Sequence, residues 1–345
     1  MRYTTLSLLW LTIGLSAGYA QGYSLRFYGN GTDDIDRVKI RIDDPTNNLP
    51  GPPADVGATD FTIEFWMKAN ASDNPSSAVT CGENEDWIYG NIIIDRDRFS
   101  QGRKFGISVA NGKIVFGVTG DGNDYRTICG TTNVLDGRWH HIAVQRRRSD
   151  GYMWLYVDGN LEAQADGPNG DISYPDDGEP CQNCCSGSAC DFSDPFLVFG
   201  AEKHDYDPNS YPSYSGYLDE VRLSTVLRYS GNFTPPRQPF TIDASTAALY
   251  HFDEGSGMDI VDAMEQSPGE LRYGGDPAGP VWTTDTPFRR AGDVDGNGCV
   301  DDADLLSVLF EFGQTGSNLD QDVNGDGVVD DADLLSVLFN FGAGC

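Results

Sequence analysis

Between Tyr23 and about Tyr273 the apolar residues fall at every second position in short runs, and Gly, Asn, Asp and Pro separate the runs. Phe61, Ile63, Phe65 and Met67 alternate with Thr62, Glu64, Trp66 and Lys68, which puts the first four side chains on one face of a strand. Phe105–Val109 and Lys113–Val118 flank Asn111-Gly112, a dipeptide favoured in two-residue hairpins because both turn positions need positive φ. Tyr152–Val157 runs into Asp158-Gly159 and out again through Leu161. Phe196–Phe199, Leu218–Leu223 and Ala247–Phe252 are further predicted strands. No long amphipathic helix interrupts them. Short strands at regular spacing predict an all-β sandwich of two sheets.

The period changes at the C-terminal end. Residues 291–345 carry one pattern twice, 29 residues apart: Asp293–Gly313 reads DVDGNGCVDDADLLSVLFEFG, and Asp322–Gly342 reads DVNGDGVVDDADLLSVLFNFG. Leu305, Val308, Leu309 and Phe312 fall at helical spacing, as do Leu334, Val337, Leu338 and Phe341. Ahead of each predicted helix, oxygen-bearing side chains occupy loop positions 1, 3, 5, 9 and 12. They are Asp293, Asp295, Asn297, Asp301 and Asp304 in the first copy, and Asp322, Asn324, Asp326, Asp330 and Asp333 in the second. Ca2+ takes roughly six to eight hard oxygen ligands, and the glycine at position 6 (Gly298, Gly327) permits the turn that brings alternate side chains inward. Position 7 offers only its backbone carbonyl, so its side chain is free to be Cys299 or Val328. The pattern predicts a small α domain of two loop–helix repeats holding two Ca2+. An acidic linker with accidental spacing would not repeat it intact.

Charge and cysteine content narrow the compartment and the partners. Met1-Arg2, an apolar run from Leu6 to Leu15 and the small-residue end Gly18-Tyr19-Ala20 read as a secretory signal peptide over residues 1–20, cut after Ala20. The run is too short to cross a bilayer, and no later run approaches the ~18 apolar residues a span needs. The mature chain is expected to be soluble and secreted, with cell-surface association left open. A net charge of −30, from 23 basic and 53 acidic residues, repels phosphate backbones and excludes nucleic acid as a partner. The eight cysteines read as disulfides in an exported chain. Cys299 is expected to pair with Cys345, which would clasp the ends of the tail; among the other six, Cys81 with Cys129 is one pairing the sequence allows without fixing the connectivity. Cys181, Cys184, Cys185 and Cys190 would then pair among themselves, with zinc as the alternative for Cys-x-x-Cys-Cys.

Two resemblances add to this reading. Ser24–Gly29, Phe61–Trp66, Asp136–Val144 (DGRWHHIAV), Leu155–Gly159 and Gly216–Arg222 (GYLDEVR), in that order, resemble a laminin-G-like, concanavalin A-like jelly roll over residues 22–275. Related jelly rolls often hold a structural calcium with an aspartate from the GYLDEVR strand. The resemblance therefore implies a third metal site at Asp219, with Asn30 and Asp33 as partners; a buried carboxylate satisfied by backbone N–H groups is the alternative. The tail resembles a type I dockerin, which implies docking on a cohesin-bearing protein. It departs from that pattern at Asp302-Ala303 and Asp331-Ala332, where hydroxyl pairs are common, and it has no Lys or Arg. Residues 276–290 read as a Gly/Pro linker.

Candidate chemistry in the sandwich is sparse. His140 and His141 are adjacent on a predicted strand and so point to opposite faces, which reads as core rather than metal or base. His204 and His251 have no nucleophile partner nearby in sequence. Glycoside hydrolases on this fold place two carboxylates on one strand, roughly 5–5.5 Å apart for retention. Glu64 stands alone on its strand, and Glu83-Asn-Glu-Asp86 lies in a loop, so no catalytic residue is assigned. Trp87, Tyr89, Tyr174, Tyr206, Tyr211 and Tyr214 lie in or beside acidic loops, where they could stack on sugars or anchor the loops. The expected function is a monomeric, non-catalytic recognition protein that binds carbohydrate or a surface ligand through the sandwich and docks through its tail. The alternatives are a structural surface protein and a glycoside hydrolase.

Overall fold

Phe61, Ile63, Phe65 and Met67 are all fully buried, and the strand they build is longer at its C-terminal end than the alternation alone marks. The computed structural model describes residues 22–44, 47–98, 101–122, 124–176, 195–288, 292–295, 299–316 and 319–343. Residues 1–20, where the sequence reads as a signal peptide, and Asn297, Gly298, the four cysteines between 181 and 190, and Cys345 lie outside these. The strands begin with β1 (Ser24–Tyr28), β2 (Arg37–Arg41), β3 (Phe61–Asn70), β4 (Asn91–Arg96), β5 (Lys104–Ala110) and β6 (Lys113–Thr119). They continue through β7 (Tyr125–Cys129), β8 (Asp136–Arg146), β9 (Met153–Val157), β10 (Asn160–Ala165), β11 (Phe196–Phe199) and β12 (Ser215–Ser224). The last are β13 (Thr246–Tyr250), β14 (Asp259–Ile260), β15 (Gly269–Arg272), β16 (Gly274–Gly275), β17 (Ala278–Gly279) and β18 (Val281–Thr283).

Two eight-stranded sheets result. One runs β10-β9-β8-β3-β12-β1-β18 with β13 also on β12; the other runs β14-β15-β2-β11-β4-β5-β6-β7, and all ladders are antiparallel. Register follows the apolar alternation: Ile63 faces Val144 and Phe65 faces Ile142 across β3–β8. Their side chains meet Ile107, Phe116 and others in one core, where each large residue contributes roughly 1.5–3 kcal/mol by leaving water. The β5–β6 hairpin turns at Asn111 (φ 48°) and Gly112 (φ 75°), as the dipeptide predicts.

Three features were not readable from periodicity. The strand β2 reads Arg-Val-Lys-Ile-Arg, yet Arg37 and Lys39 are buried, because Asp205 (2.6 Å) and Asp34 (3.0 Å) neutralise them. The expected linker at 276–290 is largely sandwich: Val281–Thr283 pair with β1, and Asp285 binds Lys68 and the indole N–H of Trp139. Residues 22–288 accordingly form one compact unit. Third, the indole of Trp87 lies over the facing pair Gly106 and Gly117; a Cβ on either would sit 1.9 Å from the ring.

The C-terminal residues form the other unit. Its helices are α1 (Asp302–Phe310) and α2 (Asp331–Asn340). Val308 and Val337 are buried with Val294, Val300 and Val329, but Leu309, Phe312, Leu338 and Phe341 are about half exposed. The helical period is right and the buried stripe is narrower than it predicts, since two short helices bury little beyond the side facing each other. The repeats interlock: Val329 exchanges backbone bonds with Gly313 and Gln314 after α1, and Val300 does so with Gly342 and Ala343 after α2.

Candidate functional site

Each tail loop is organised by the aspartate at position 12. Asp304 is fully buried and accepts from the N–H groups of Val294 (2.7 Å), Asp295 (3.0 Å) and Asp301 (2.8 Å). Asp333 repeats this with Asn324 (3.0 Å) and Asp330 (2.8 Å). Asp301 and Asp330 cap α1 and α2, and with Asp304 and Asp333 they close capping boxes. The spacing that suits an ion therefore also starts the helix. Carboxylate oxygens of Asp293, Asp295 and Asp304 lie within 4.8 Å of one another. In the second loop Asp322 accepts from Asp326 (3.1 Å) and Gly327 (2.8 Å), Asn324 from Asp326 (2.9 Å), and Asp326 from Val328 (2.9 Å). Gly327 has φ 89°, the conformation that turn demands. The donor sets of both loops are all hard oxygen, and in the first loop they converge on a small space, which fits Ca2+; in the second, Asp322, Asn324 and Asp326 are turned to backbone N–H groups of their own loop. Cys299 is disulfide-bonded; Cys345, its expected partner, is outside the described residues.

The sandwich gathers a different acidic cluster around Asp219. A bulge in β12, where Asp219 pairs with Trp66 but Arg222 with Glu64, puts Glu220 at φ 51° and leaves both acids buried. Glu220 accepts from the Phe240 N–H (2.6 Å) and pairs with the His251 ring at 2.6 Å. Ligand atoms of Glu220, His251 and Asp253 lie within 4.8 Å of one another, beside a cavity of about 230 Å³ lined by His251, Asp253, Glu254, Val261 and Ala263. Burial, then the charges of Glu220 and Asp253, push the Asp219 carboxyl well above its ordinary value. Burial also raises Glu220, Asp253 and Glu254. At His251 burial favours the neutral ring, but the Glu220 bond and the surrounding carboxylates outweigh it and raise the pKa.

The expected partners of Asp219 are elsewhere. Leu25 faces Leu218 and Tyr28 faces Ser215, so Asn30 and Asp33 lie beyond the opposite end of that ladder. Asn30 bonds Asp36 and the Pro277 carbonyl, and Asp33 is exposed. What periodicity could not reveal is the bulge, which seats Glu220 against His251 and Asp253 and buries Asp219 beside it.

Glu64, the lone strand carboxylate, is sealed. It meets Arg222 (2.7 Å), the Tyr229 hydroxyl (2.5 Å) and His141 (3.3 Å). Burial alone would raise its pKa, but His141 and Arg222 hold it below the ordinary range. His140 points the other way, to Asp158 (2.8 Å) and Asp136 (3.0 Å), as strand alternation requires. The six loop aromatics divide evenly. Trp87, Tyr174 and Tyr214 are buried anchors, whereas Tyr89 and Tyr206 are about half exposed and contact the partly buried Tyr211. Of the pairings the sequence allows, Cys81 with Cys129 is the one formed among the described residues of the sandwich.

Two packed antiparallel sheets with ligand-sized surface features but no exposed carboxylate pair on β3 define a β-sandwich of the jelly-roll class. The chain belongs to the concanavalin A-like lectin/glucanases superfamily, which matches residues 43–228. No curated protein matches it. Among solved structures it is similar to a Bacteroides ovatus protein named as a candidate carbohydrate-binding protein, at 17% identity and TM-score 0.46, over 78% of this chain and 62% of that one. It therefore spans less than two thirds of that protein. It is also similar to a pentraxin of Limulus polyphemus (13%, TM-score 0.34, 61% and 78%) and to domains LG4-5 of the mouse laminin α1 chain (11%, TM-score 0.35, 74% and 53%). Among the described residues no helix is long and apolar enough to cross a membrane.

Proposed function

We propose that this is an exported, non-catalytic recognition protein whose sandwich binds carbohydrate and whose tail takes up two Ca2+ and docks on a cohesin-type partner. The observation that carries the reading is the repeated loop in which a wholly buried aspartate, Asp304 or Asp333, is met by backbone N–H groups in a tail without Lys or Arg. Buried carboxylates without a countercharge are where a divalent cation gains most. Asp293, Asp295, Asn297, the Cys299 carbonyl, Asp301 and Asp304 would hold one ion; Asp322, Asn324, Asp326, the Val328 carbonyl, Asp330 and Asp333 would hold the other. The ions would supply the positive charge that lets the acidic loops close. Asp219, Glu220, His251 and Asp253 would hold a third, structural ion.

Membership of a superfamily of lectins and glucanases supports carbohydrate as the ligand class, and the sealed Glu64 favours binding over hydrolysis. A disulfide between Cys81 and Cys129 supports an oxidising compartment, and hence the signal peptide. Asp302-Ala303 and Asp331-Ala332 favour a second reading for the tail, a structural element of a surface protein without a cohesin partner.

The test is retention of the mature chain on a panel of insoluble polysaccharides, with Ca2+ or EGTA, while the supernatant is assayed for reducing ends. Retention without release is expected. Released sugar would overturn the non-catalytic reading, and no retention on any member would overturn carbohydrate as the ligand.

A further inference from the structure

We infer that Tyr89, Tyr206 and Tyr211 form the sugar-stacking subsite of the sandwich, and that its ligand is an uncharged pyranose chain. The inference rests on the carbohydrate-binding reading above and gives it a location.

The three rings come from two separate segments. Tyr89 ends a short 3-10 helix, Asp86–Tyr89; Tyr206 and Tyr211 lie on the loop between β11 and β12. Tyr89 and Tyr211 stack at 5.7 Å between centroids with 26° between planes, and Tyr206 meets Tyr211 edge-on at 5.4 Å. Tyr89 and Tyr206 nevertheless keep 48% and 49% of their surface in water. Rings that half-face solvent add little to folding, and this helix already has its anchor. Trp87 is 1% exposed on the Gly106–Gly117 pair, and its carbonyl accepts from Ser108 Oγ at 2.6 Å. Cys81–Cys129 and the Gly82–Thr127 bridge tie the segment just before this helix to β7. On the other side the Ile92 N–H bonds the Pro212 carbonyl (2.8 Å), and the Tyr206 N–H bonds Glu202 (2.9 Å). The rings therefore stand on a fixed frame, so little ordering entropy opposes binding.

The surroundings choose the ligand. Beside Tyr206, Asp207 organises a turn by accepting from Asn209 and from Ser210 Oγ (2.7 Å), which leaves amide, hydroxyl and carboxylate groups at the rim. Such groups bond sugar hydroxyls while the C–H face of a pyranose lies on a phenol ring. Asp86 and the exposed Asp207 supply the negative charge at the rim, whereas Asp97 is paired with Lys104 (2.9 Å) and both it and Glu202 lie against His204; burial, then the nearby rings and the charges of Asp97 and Glu202, raise the Tyr211 pKa. Sulfated or uronic-acid chains would meet repulsion there, and a neutral chain would not.

The experiment is affinity electrophoresis of the full mature chain through gels containing soluble β-glucan, glucomannan, xylan or, as the anionic control, alginate. Retardation by at least one neutral polymer and none by alginate is expected. Tyr89→Ala and Tyr206→Ala should each weaken it roughly 3- to 10-fold, whereas Tyr89→Phe and the remote Tyr273→Ala should retain it. Because Tyr89 and Tyr206 are half exposed, folded variants are expected, checked by an unchanged melting transition. Wild-type retardation that both alanine variants keep would overturn this subsite and leave the carbohydrate reading standing. No retardation of the wild type by any polymer would overturn both. Strong retardation by alginate would overturn the neutral-ligand inference, and a wild-type dimer that Tyr89→Ala dissociates would put a second copy on the rings instead.

Discussion

At Asp219 a single carboxylate is held where its charge is least welcome. It is 3% exposed, its neighbours Glu220 and Asp253 are also acids, and its pKa is raised well above ordinary. A group raised in the fold contributes stability that is complete below its unfolded pKa and lost as pH rises through its folded one. With chelator at pH 7.5, Asp219→Asn should therefore melt higher than wild type, by roughly 2–4 °C for each 1 kcal/mol relieved. The gain should vanish near pH 3.5, where both states of the wild type are protonated. A variant that melts lower than wild type in chelator at pH 7.5 would show that the charge is compensated. The residue was singled out from sequence, but its neighbours were not, because φ 51° at Glu220 is a property of the bulge rather than of the letters around it.

Elements were more legible than their surroundings. Alternation located β3, β5, β6, β9 and β11 nearly to the residue, since each has one face in a shared core. It was blind to β2, whose charges are cancelled by acids that only the fold brings near. In the tail, Asp301 with Asp304 and Asp330 with Asp333 were legible as loop positions 9 and 12, and the structure gives them a second role as capping boxes. Asp304→Ala should then lose both roles. In chelator the cap alone is expected to cost about 0.5–2 kcal/mol of α1 stability, read by helix ellipticity. In calorimetric titration the number of tail ions should fall from two to one. Unchanged stoichiometry would mean that position 12 is not a ligand. Because Val300 and Val329 each bond the chain after the other repeat's helix, the second site should weaken as well.

Over the whole molecule, protons and net charge act in the same direction. Burial pushes Asp55 up to about 7 and, with Asp97 and Glu202 adding to it, Asp95 up to about 6. The stability these two contribute is complete below their ordinary range and lost as pH climbs through 6 and 7, by up to about 1.4 kcal/mol per pH unit for each proton. Glu64 and Asp97 are shifted the other way, so their loss comes only at the acid end. The net charge of −30 adds self-repulsion as pH rises. The urea midpoint in chelator is therefore expected to be higher at pH 5 than at pH 8, and added salt should narrow the gap by screening. Equal midpoints would mean that the buried carboxylates keep their ordinary affinities. None of this was visible in composition, which gives the sum of charges but not which of them the sheets enclose.

The bond between Cys81 and Cys129 separates what holds the segment from Cys81 to Tyr89 from what it displays. With Trp87 seated on its glycine pair, the cysteines joined, Gly82 bonded to Thr127 and Glu85 to Thr119 and Lys104, the frame is held apart from the exposed Tyr89 ring and from Glu83, which adds only a surface ion pair with Arg126. Such exposed positions can change their letters without changing the outline of the segment. It is a cassette in which new specificity can be tried at small risk to folding.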